Sequence, residues 1–253
     1  MHAGEEPEPT PTPPSLSRVG TWPVALAVLL LAYVVGSGVT ALLAGLIGDG
    51  ATTPGFGARS LGDPRVVALA ILATDAALLA GVYLVVIRRG VAGWRDLGLR
   101  ASGTRRPVVV GLGYGLLFVL ASGSISLLLA AFGVQQDQAA LFPLTDAGPW
   151  ARAALVTAGV VFAPVAEEVF FRGFVFQAMA ARKGLVRGLI YSSILFAAVH
   201  GNVAAFLPLI AGSAVLAYSL HRTGTLWVPI FAHAFNNAFA FAALLLSSSP
   251  PPS

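Results

Sequence analysis

Two adjacent carboxylates and an arginine stand inside the long apolar run between residues 153 and 180. An ionisable side chain costs about a few kcal/mol to place within a membrane span, so each one needs a partner or a function. The four-residue step from Glu168 to Arg172 puts these two on one helix face, where they can neutralise each other. Glu167 points about 100° away and faces a different neighbour. We therefore predict Glu167 as a general base, with Glu168 and Arg172 as structural support.

Histidine and asparagine side chains supply further polar groups within apolar runs. His200 stands four residues after Phe196, and the four-residue step from His233 to Asn237 aligns imidazole and amide on one helix face. At 1.5 Å per residue, Glu167 and these imidazole and amide groups lie roughly 12 to 20 Å from the predicted cytoplasmic ends of their helices. A common depth for four costly groups predicts one shared site, with Phe196 as structural support.

These residue types suit hydrolysis by an activated water. No motif sets a serine, cysteine or threonine beside them, so the spacing does not support a covalent intermediate. Glu167, helped by His200, could deprotonate a water. His233 and Asn237 could then donate hydrogen bonds to the oxyanion that forms on the attacked carbonyl. The alternative is a zinc ion held by Glu167, His200 and His233, although the HExxH arrangement of soluble zinc peptidases is absent.

Asp75 is the ionisable residue of an earlier apolar run. We interpret it as a packing residue, with a protonated or hydrogen-bonded carboxyl facing another helix.

Membrane helices must position these groups. Of 253 residues, 57% are hydrophobic and 10% are charged, against roughly 25% charged in a soluble domain. Because each main apolar run can cross a hydrocarbon layer about 30 Å thick, we predict an all-α, polytopic transmembrane bundle of about seven (six to eight) helices. The predicted spans are Trp22–Ile47, Val66–Ile87, Pro107–Phe132, Ala153–Ala180, Leu185–His200, Ala204–Leu220 and Leu226–Leu246.

One transmembrane domain, residues 22–246, is predicted between two tails, with the catalytic core at about 150–246. Residues 1–21 are proline-rich and acidic and are predicted to be disordered, as are residues 247–253. Of the 15 Lys and Arg residues, eleven fall in predicted cytoplasmic segments, three on the opposite side, and Arg172 within a span. This bias predicts a multi-pass protein of the cell (inner) membrane with a cytoplasmic N-terminus, and it explains the basic residues without nucleic-acid binding.

The polar groups form an ordered set of motifs on successive predicted helices. They are EExxxR at 167–172, FxxxH at 196–200 and HxxxN at 233–237. This set resembles the CPBP family, the CAAX prenyl endopeptidases and bacteriocin-processing proteins. The stretch WRDLGLR at 94–100, before a new span, also resembles a loop that these proteins often carry.

The resemblance implies an intramembrane endopeptidase whose active site opens toward the cytoplasm. It assigns water activation to Glu167 and His200, and oxyanion stabilisation to His233 and Asn237. The family has been described both as metal-dependent and as glutamate-based. Because Asn237 is a poor zinc ligand, we expect no cofactor, with zinc as the alternative. The expected partners are the lipid bilayer and a membrane protein or peptide substrate, which is prenylated in eukaryotic members.

Two other classes of function fit parts of the sequence. A transporter could use Glu167, His200 and His233 as a proton relay, but it would need polar steps at several depths. A catalytically silent immunity or scaffold protein would keep the same fold. Its expected signature, loss of a catalytic residue, is absent here. The alanine-rich and glycine-rich composition favours a bacterial origin.

Overall fold

The computed structural model describes residues 16, 21–47, 63–101, 106–134, 144 and 148–247. These ranges form seven continuous helices and contain no strand, so the predicted all-α bundle is confirmed. Leu16 is fully buried against the bundle; the rest of the predicted tail before residue 21, and the predicted tail after residue 247, lie outside the described residues. The helices are α1 Thr21–Ile47, α2 Pro64–Ile87, α3 Pro107–Ala131, α4 Pro149–Lys183, α5 Leu185–Val199, α6 Phe206–Thr223 and α7 Trp227–Ser247.

Five helices of the described chain are long and apolar enough to cross a membrane, namely α1, α2, α3, α4 and α7. The protein is therefore multi-pass. The other two are short, as predicted: α5 has 15 residues and α6 has 18. At 1.5 Å per residue, α5 is about 22 Å long and does not reach across a hydrocarbon core of about 30 Å.

Helix α4 lies at the centre of the bundle. The best apolar window of α4 is 56% buried, against at most 33% in the other four long helices. It is longer at both ends than the predicted span Ala153–Ala180. Pro149 occupies its first turn, where a missing N–H costs nothing. At the other end Gly184, at φ +85°, accommodates a backbone conformation that side chains disfavour and ends the helix.

Two π-helical segments, Ala158–Phe162 and Glu168–Phe176, interrupt the regular winding of α4. Pro164 lies between them, and its ring nitrogen cannot donate to the preceding turn. Such irregular turns are frequent at functional sites because they redirect side chains and leave backbone carbonyls unpaired. The second segment starts at Glu168, within the EExxxR motif.

Small residues bring α3 against α7. A Cβ atom added at Gly111 would lie 2.6 Å from the Phe231 Cβ, and one added at Gly115 would lie 2.8 Å from the Phe235 ring. These separations leave no room for a side chain, so the four-residue glycine spacing lets the two backbones approach closely.

The segment 94–100 between α2 and α3 folds back onto the bundle. Leu97 is fully buried, and its carbonyl accepts a hydrogen bond of 2.9 Å from Gln177 on α4. The next carbonyl, of Gly98, accepts one of 2.9 Å from the Leu226 N–H before α7. The α2–α3 segment, the end of α4 and the start of α7 therefore meet on one side of the bundle.

Candidate active site

Glu168 joins α4 to α7. Its Oε1 accepts a hydrogen bond of 2.7 Å from Arg172 Nη1 and one of 2.8 Å from His233 Nδ1. The carboxylate and the guanidinium are fully buried, so each supplies the charge that the other needs away from water. Because His233 Nδ1 is held as a donor, Nε2 is the imidazole nitrogen left to face the site.

Arg172 extends the same network to two more helices. Its Nη2 donates to Ser213 Oγ at 2.9 Å on α6, and its guanidinium carbon lies 4.4 Å from the centroid of the Phe196 ring on α5. The pairing of Glu168 with Arg172 follows from their spacing, whereas the contact with Ser213 was not predicted. Nothing in the sequence distinguishes this serine from the other serines of the apolar runs.

Glu167 points into the space beside His233. Its Oε2 lies 3.9 Å from His233 Nε2, which is too long for a hydrogen bond. A water bound to both groups would bridge such a separation. The same Oε2 is buried without a hydrogen-bond partner in the described structure, while the whole side chain is 20% exposed. This carboxylate is thus close to the imidazole, while the Arg172 guanidinium of the same motif donates its hydrogen bond to Glu168.

His200 lies at the C-terminal end of α5 and is exposed. Its Nδ1 is hydrogen bonded at 2.7 Å to the carbonyl of Phe196. A carbonyl can only accept, so Nδ1 carries the proton and the neutral ring has its lone pair on Nε2. The Phe196 ring stands between the two histidines, with its centroid 4.6 Å from that of His200 and 5.8 Å from that of His233.

The structure brings Glu167 close to His233 and places His200 on the other side of the Phe196 ring, but it does not pair Glu167 with His200. Within the described chain it contains no ion pair between Glu167 and His200. Their joint action on a water stays a prediction.

The interruption of α4 explains the position of Asn237. In the π-helical turn the Ala163 N–H donates to the Ala158 carbonyl, five residues earlier. The next donor in that register would be Pro164, which has no N–H, so the Gly159 carbonyl is left free. The side-chain nitrogen of Asn237 donates to this carbonyl at 2.8 Å. Proline in one helix therefore creates the acceptor that orients the amide of another.

Helix α1 closes one side of this region. The Tyr33 hydroxyl donates to the carbonyl of Val199, the residue before His200. This tyrosine lies outside all three motifs, and no spacing rule connects residue 33 to residue 199. The contact could not be found from the sequence.

The arrangement does not gather a metal-ligand set. Across the described ranges, no group of three His, Cys, Asp or Glu side chains converges closely enough to hold a metal ion. Of the three ligands of the zinc alternative, Glu167 and His233 lie 3.9 Å apart, and zinc binding stays an untested alternative.

Comparison with known proteins places the site within a recognised segment. Residues 149–239 match the family model described as type II CAAX prenyl endopeptidase Rce1-like. The "Putative membrane peptidase YdiL" of Bacillus subtilis (strain 168) is 31% identical over 85 residues, which cover 34% of this chain and 35% of that relative. The match thus spans about a third of the relative's length. No solved structure matches. The matches confirm the resemblance to the CPBP proteases.

Proposed function

We propose that this multi-pass chain, whose residues 149–239 match the type II CAAX prenyl endopeptidases, hydrolyses a peptide bond of a membrane-associated or lipid-modified protein or peptide. One observation carries the proposal. The buried Glu168 holds His233 by Nδ1, and this leaves Nε2 3.9 Å from the carboxylate of Glu167. This places a carboxylate that can accept a proton from water next to an oriented imidazole that can donate to the oxyanion, and hydrolysis needs both groups.

Glu167 is the proton acceptor of the proposed reaction. Its carboxylate removes a proton from a water while the water oxygen attacks the carbonyl carbon of the peptide bond. His200 assists by accepting a hydrogen bond from that water at Nε2. The proton on Glu167 then passes to the leaving nitrogen as the carbon–nitrogen bond breaks, so the carboxylate is regenerated.

His233 and Asn237 stabilise the oxyanion. A proton on His233 Nε2 makes this group a donor, and the negative charge of the oxyanion balances the positive charge of the imidazole ring. The Asn237 amide nitrogen uses one N–H for the Gly159 carbonyl and has a second for the oxyanion. Fixed donors of this kind are worth about 3 to 4 kcal/mol in the transition state.

The proposed nucleophile is a glutamate-activated water, and no cofactor is required. The choice rests on Asn237, because an amide is a poor zinc ligand and a suitable donor to an oxyanion. The proposed substrate approaches from the cytoplasmic side, in a cell-membrane protein with its N-terminus in the cytoplasm. The basic residues of the α2–α3 segment support this orientation.

Peptide cleavage by the purified protein tests the proposal. Wild type, Glu167→Gln and His200→Ala are incubated with matched prenylated and unprenylated membrane peptides, and products are identified by mass spectrometry. His221→Ala is the control, since His221 is a half-buried histidine at the far end of α6. We expect the cleavage rate of both site variants to fall by at least about 100-fold. The control variant and a chelator-treated wild-type sample should keep the wild-type rate.

Other outcomes point to the alternatives. Loss of cleavage when a chelator is added, and its recovery when zinc is restored, would identify the protein as a metallopeptidase. Cleavage that is insensitive to both site substitutions, or no cleavage at all, would favour the catalytically silent scaffold. A preference for prenylated over unprenylated peptides would assign the substrate class.

A further inference from the structure

The turn that carries His200 is held only weakly by its own backbone. The His200 N–H donates to the Ala197 carbonyl at 3.3 Å, and the Gly201 N–H donates to the Ala198 carbonyl at 3.2 Å. Both distances exceed the usual length of a backbone hydrogen bond, about 2.9 to 3.0 Å. Gly201 then takes φ +63°, where the chain leaves the direction of the helix. The end of α5 therefore needs a contact from outside the helix to hold His200 in one position.

Tyr33 of α1 supplies such a contact. Its hydroxyl donates to the Val199 carbonyl, which belongs to the last turn of α5, where carbonyls lack partners within the helix. This carbonyl and the His200 N–H are the two ends of one peptide unit, and a peptide unit is planar. One end of the plane is bound by α1 and the other by the Ala197 carbonyl. Together they fix the plane from which the His200 side chain projects.

Other contacts independently place Tyr33 beside α5. Ala32, the preceding residue, is fully buried in the same hydrophobic cluster as Phe196. At a second level, the rings of Trp22 and Tyr191 meet edge to face, with their centroids 5.8 Å apart. Helix α1 therefore lies along α5, and the tyrosine hydroxyl reaches the end of α5 from a packed position.

The orientation of the His200 imidazole depends on this plane. The hydrogen bond of 2.7 Å between Nδ1 and the Phe196 carbonyl keeps the proton on Nδ1 and the lone pair on Nε2. The proposed water needs that lone pair as an acceptor. Rotation of the preceding peptide unit would move the ring away from the Phe196 carbonyl, and the proton would no longer be held on one nitrogen.

We propose that Tyr33 is a positioning residue, which acts through the peptide unit before His200 to direct the imidazole lone pair at the water. The inference rests on the proposed peptidase function. It adds a residue of α1, outside the matched segment 149–239, to a site otherwise built from α4, α5 and α7. In this role the tyrosine touches neither water nor substrate, so its whole effect on the reaction passes through His200.

Cleavage kinetics test whether Tyr33 acts through His200. The rates of wild type, Tyr33→Phe, His200→Ala and the double variant are compared. Tyr83→Phe is the matched control, since Tyr83 is an exposed tyrosine of α2. We expect Tyr33→Phe to lower kcat by about 10-fold at an unchanged KM, and Tyr83→Phe to keep the wild-type kcat.

The double variant separates positioning from a general loss of stability. We expect Tyr33→Phe to lower the rate no further once His200 is alanine, because the two changes remove one interaction. A Tyr33→Phe protein that cleaves like the wild type would overturn the proposal. So would a 10-fold loss that recurs in the His200→Ala background, because that loss would not pass through His200.

Nitrogen NMR of histidine-labelled protein gives a readout without activity. The chain has four histidines, and the signal of His200 is the one that His200→Ala removes. At a pH where the imidazole is neutral, we expect the wild type and Tyr83→Phe to show the proton on Nδ1, and Tyr33→Phe to show a mixture of both tautomers. An unchanged His200 signal in Tyr33→Phe would refute the positioning role. If the signal changes but the wild type cleaves nothing, the positioning stands and the proposed peptidase function fails.

Discussion

At the scale of single residues, the buried arginine shows how the bundle accommodates charge. Arg172 is matched by one carboxylate, one hydroxyl and one aromatic face, contributed by α4, α6 and α5. These contacts cover Nη1, Nη2 and one face of the guanidinium, while its buried Nε has no hydrogen-bond partner in the described structure. Part of the EExxxR motif is therefore a cross-link between helices.

Ser213→Ala should destabilise the protein, because it removes an acceptor from Arg172 Nη2. The expected loss is about 1 to 3 kcal/mol, the cost of leaving a buried charged donor partly unsatisfied. Ser219→Ala is the matched control, since Ser219 is also a fully buried serine of α6 but bonds to the Leu216 carbonyl of its own helix at 2.8 Å. Thermal unfolding in detergent measures the stability of both variants. Equal losses of stability would argue against a special role for Ser213.

At the scale of elements, the site depends on irregular helices. Helix α4 needs Pro164 and its π-helical turn to free the carbonyl that Asn237 binds. A regular helix would use that carbonyl internally. Helix α3 in turn must come close to α7, which carries both His233 and Asn237, and this approach depends on glycines.

Enlarging Gly115 should weaken the packing of α3 on α7. A Cβ at this position would lie 3.0 Å from the Ala232 carbonyl oxygen, and backbone cannot move aside as a side-chain end can. We expect Gly115→Val to lower the melting temperature in detergent. Gly113→Val is the control on the same helix, because nothing lies within 4 Å of a Cβ there. A Gly113→Val protein that melts as low as Gly115→Val would indicate a helix-propensity effect and contradict the packing argument.

At the scale of the whole molecule, contacts between connecting segments show which of them lie on the same side of the bundle. The α2–α3 segment meets the turn before α7, since Arg100 donates to the Gly224 carbonyl at 2.8 Å. The charge bias predicted that these two segments share the cytoplasmic side. Their contact fits that grouping, while the orientation of the bundle in the membrane stays a prediction.

Labelling of single cysteines tests the predicted orientation. The chain contains no cysteine, so Ala101→Cys and Val134→Cys each provide one thiol, at exposed positions near opposite ends of α3. In spheroplasts, a membrane-impermeant maleimide should label Val134→Cys directly. It should label Ala101→Cys only after the membrane is permeabilised. The reverse pattern would place the N-terminus outside.

The sequence by itself determined the number and approximate extent of the helices, because apolar runs of span length can satisfy their backbone only as helices in a membrane. The four-residue spacings also placed Glu168 beside Arg172 and His233 near Asn237 on one helix, since such neighbours are fixed by local geometry. The ends of α4 were less well predicted. There Pro149 and Gly184 set the limits, and hydrophobicity alone did not.

Only the tertiary structure decided which helices face each other. The hydrogen bonds that hold the site join residues 65 positions apart for His233 and Glu168, 78 for Asn237 and Gly159, and 41 for Arg172 and Ser213. No local periodicity encodes such pairs. They depend on helix packing, on glycines that permit close approach, and on a proline that frees a carbonyl.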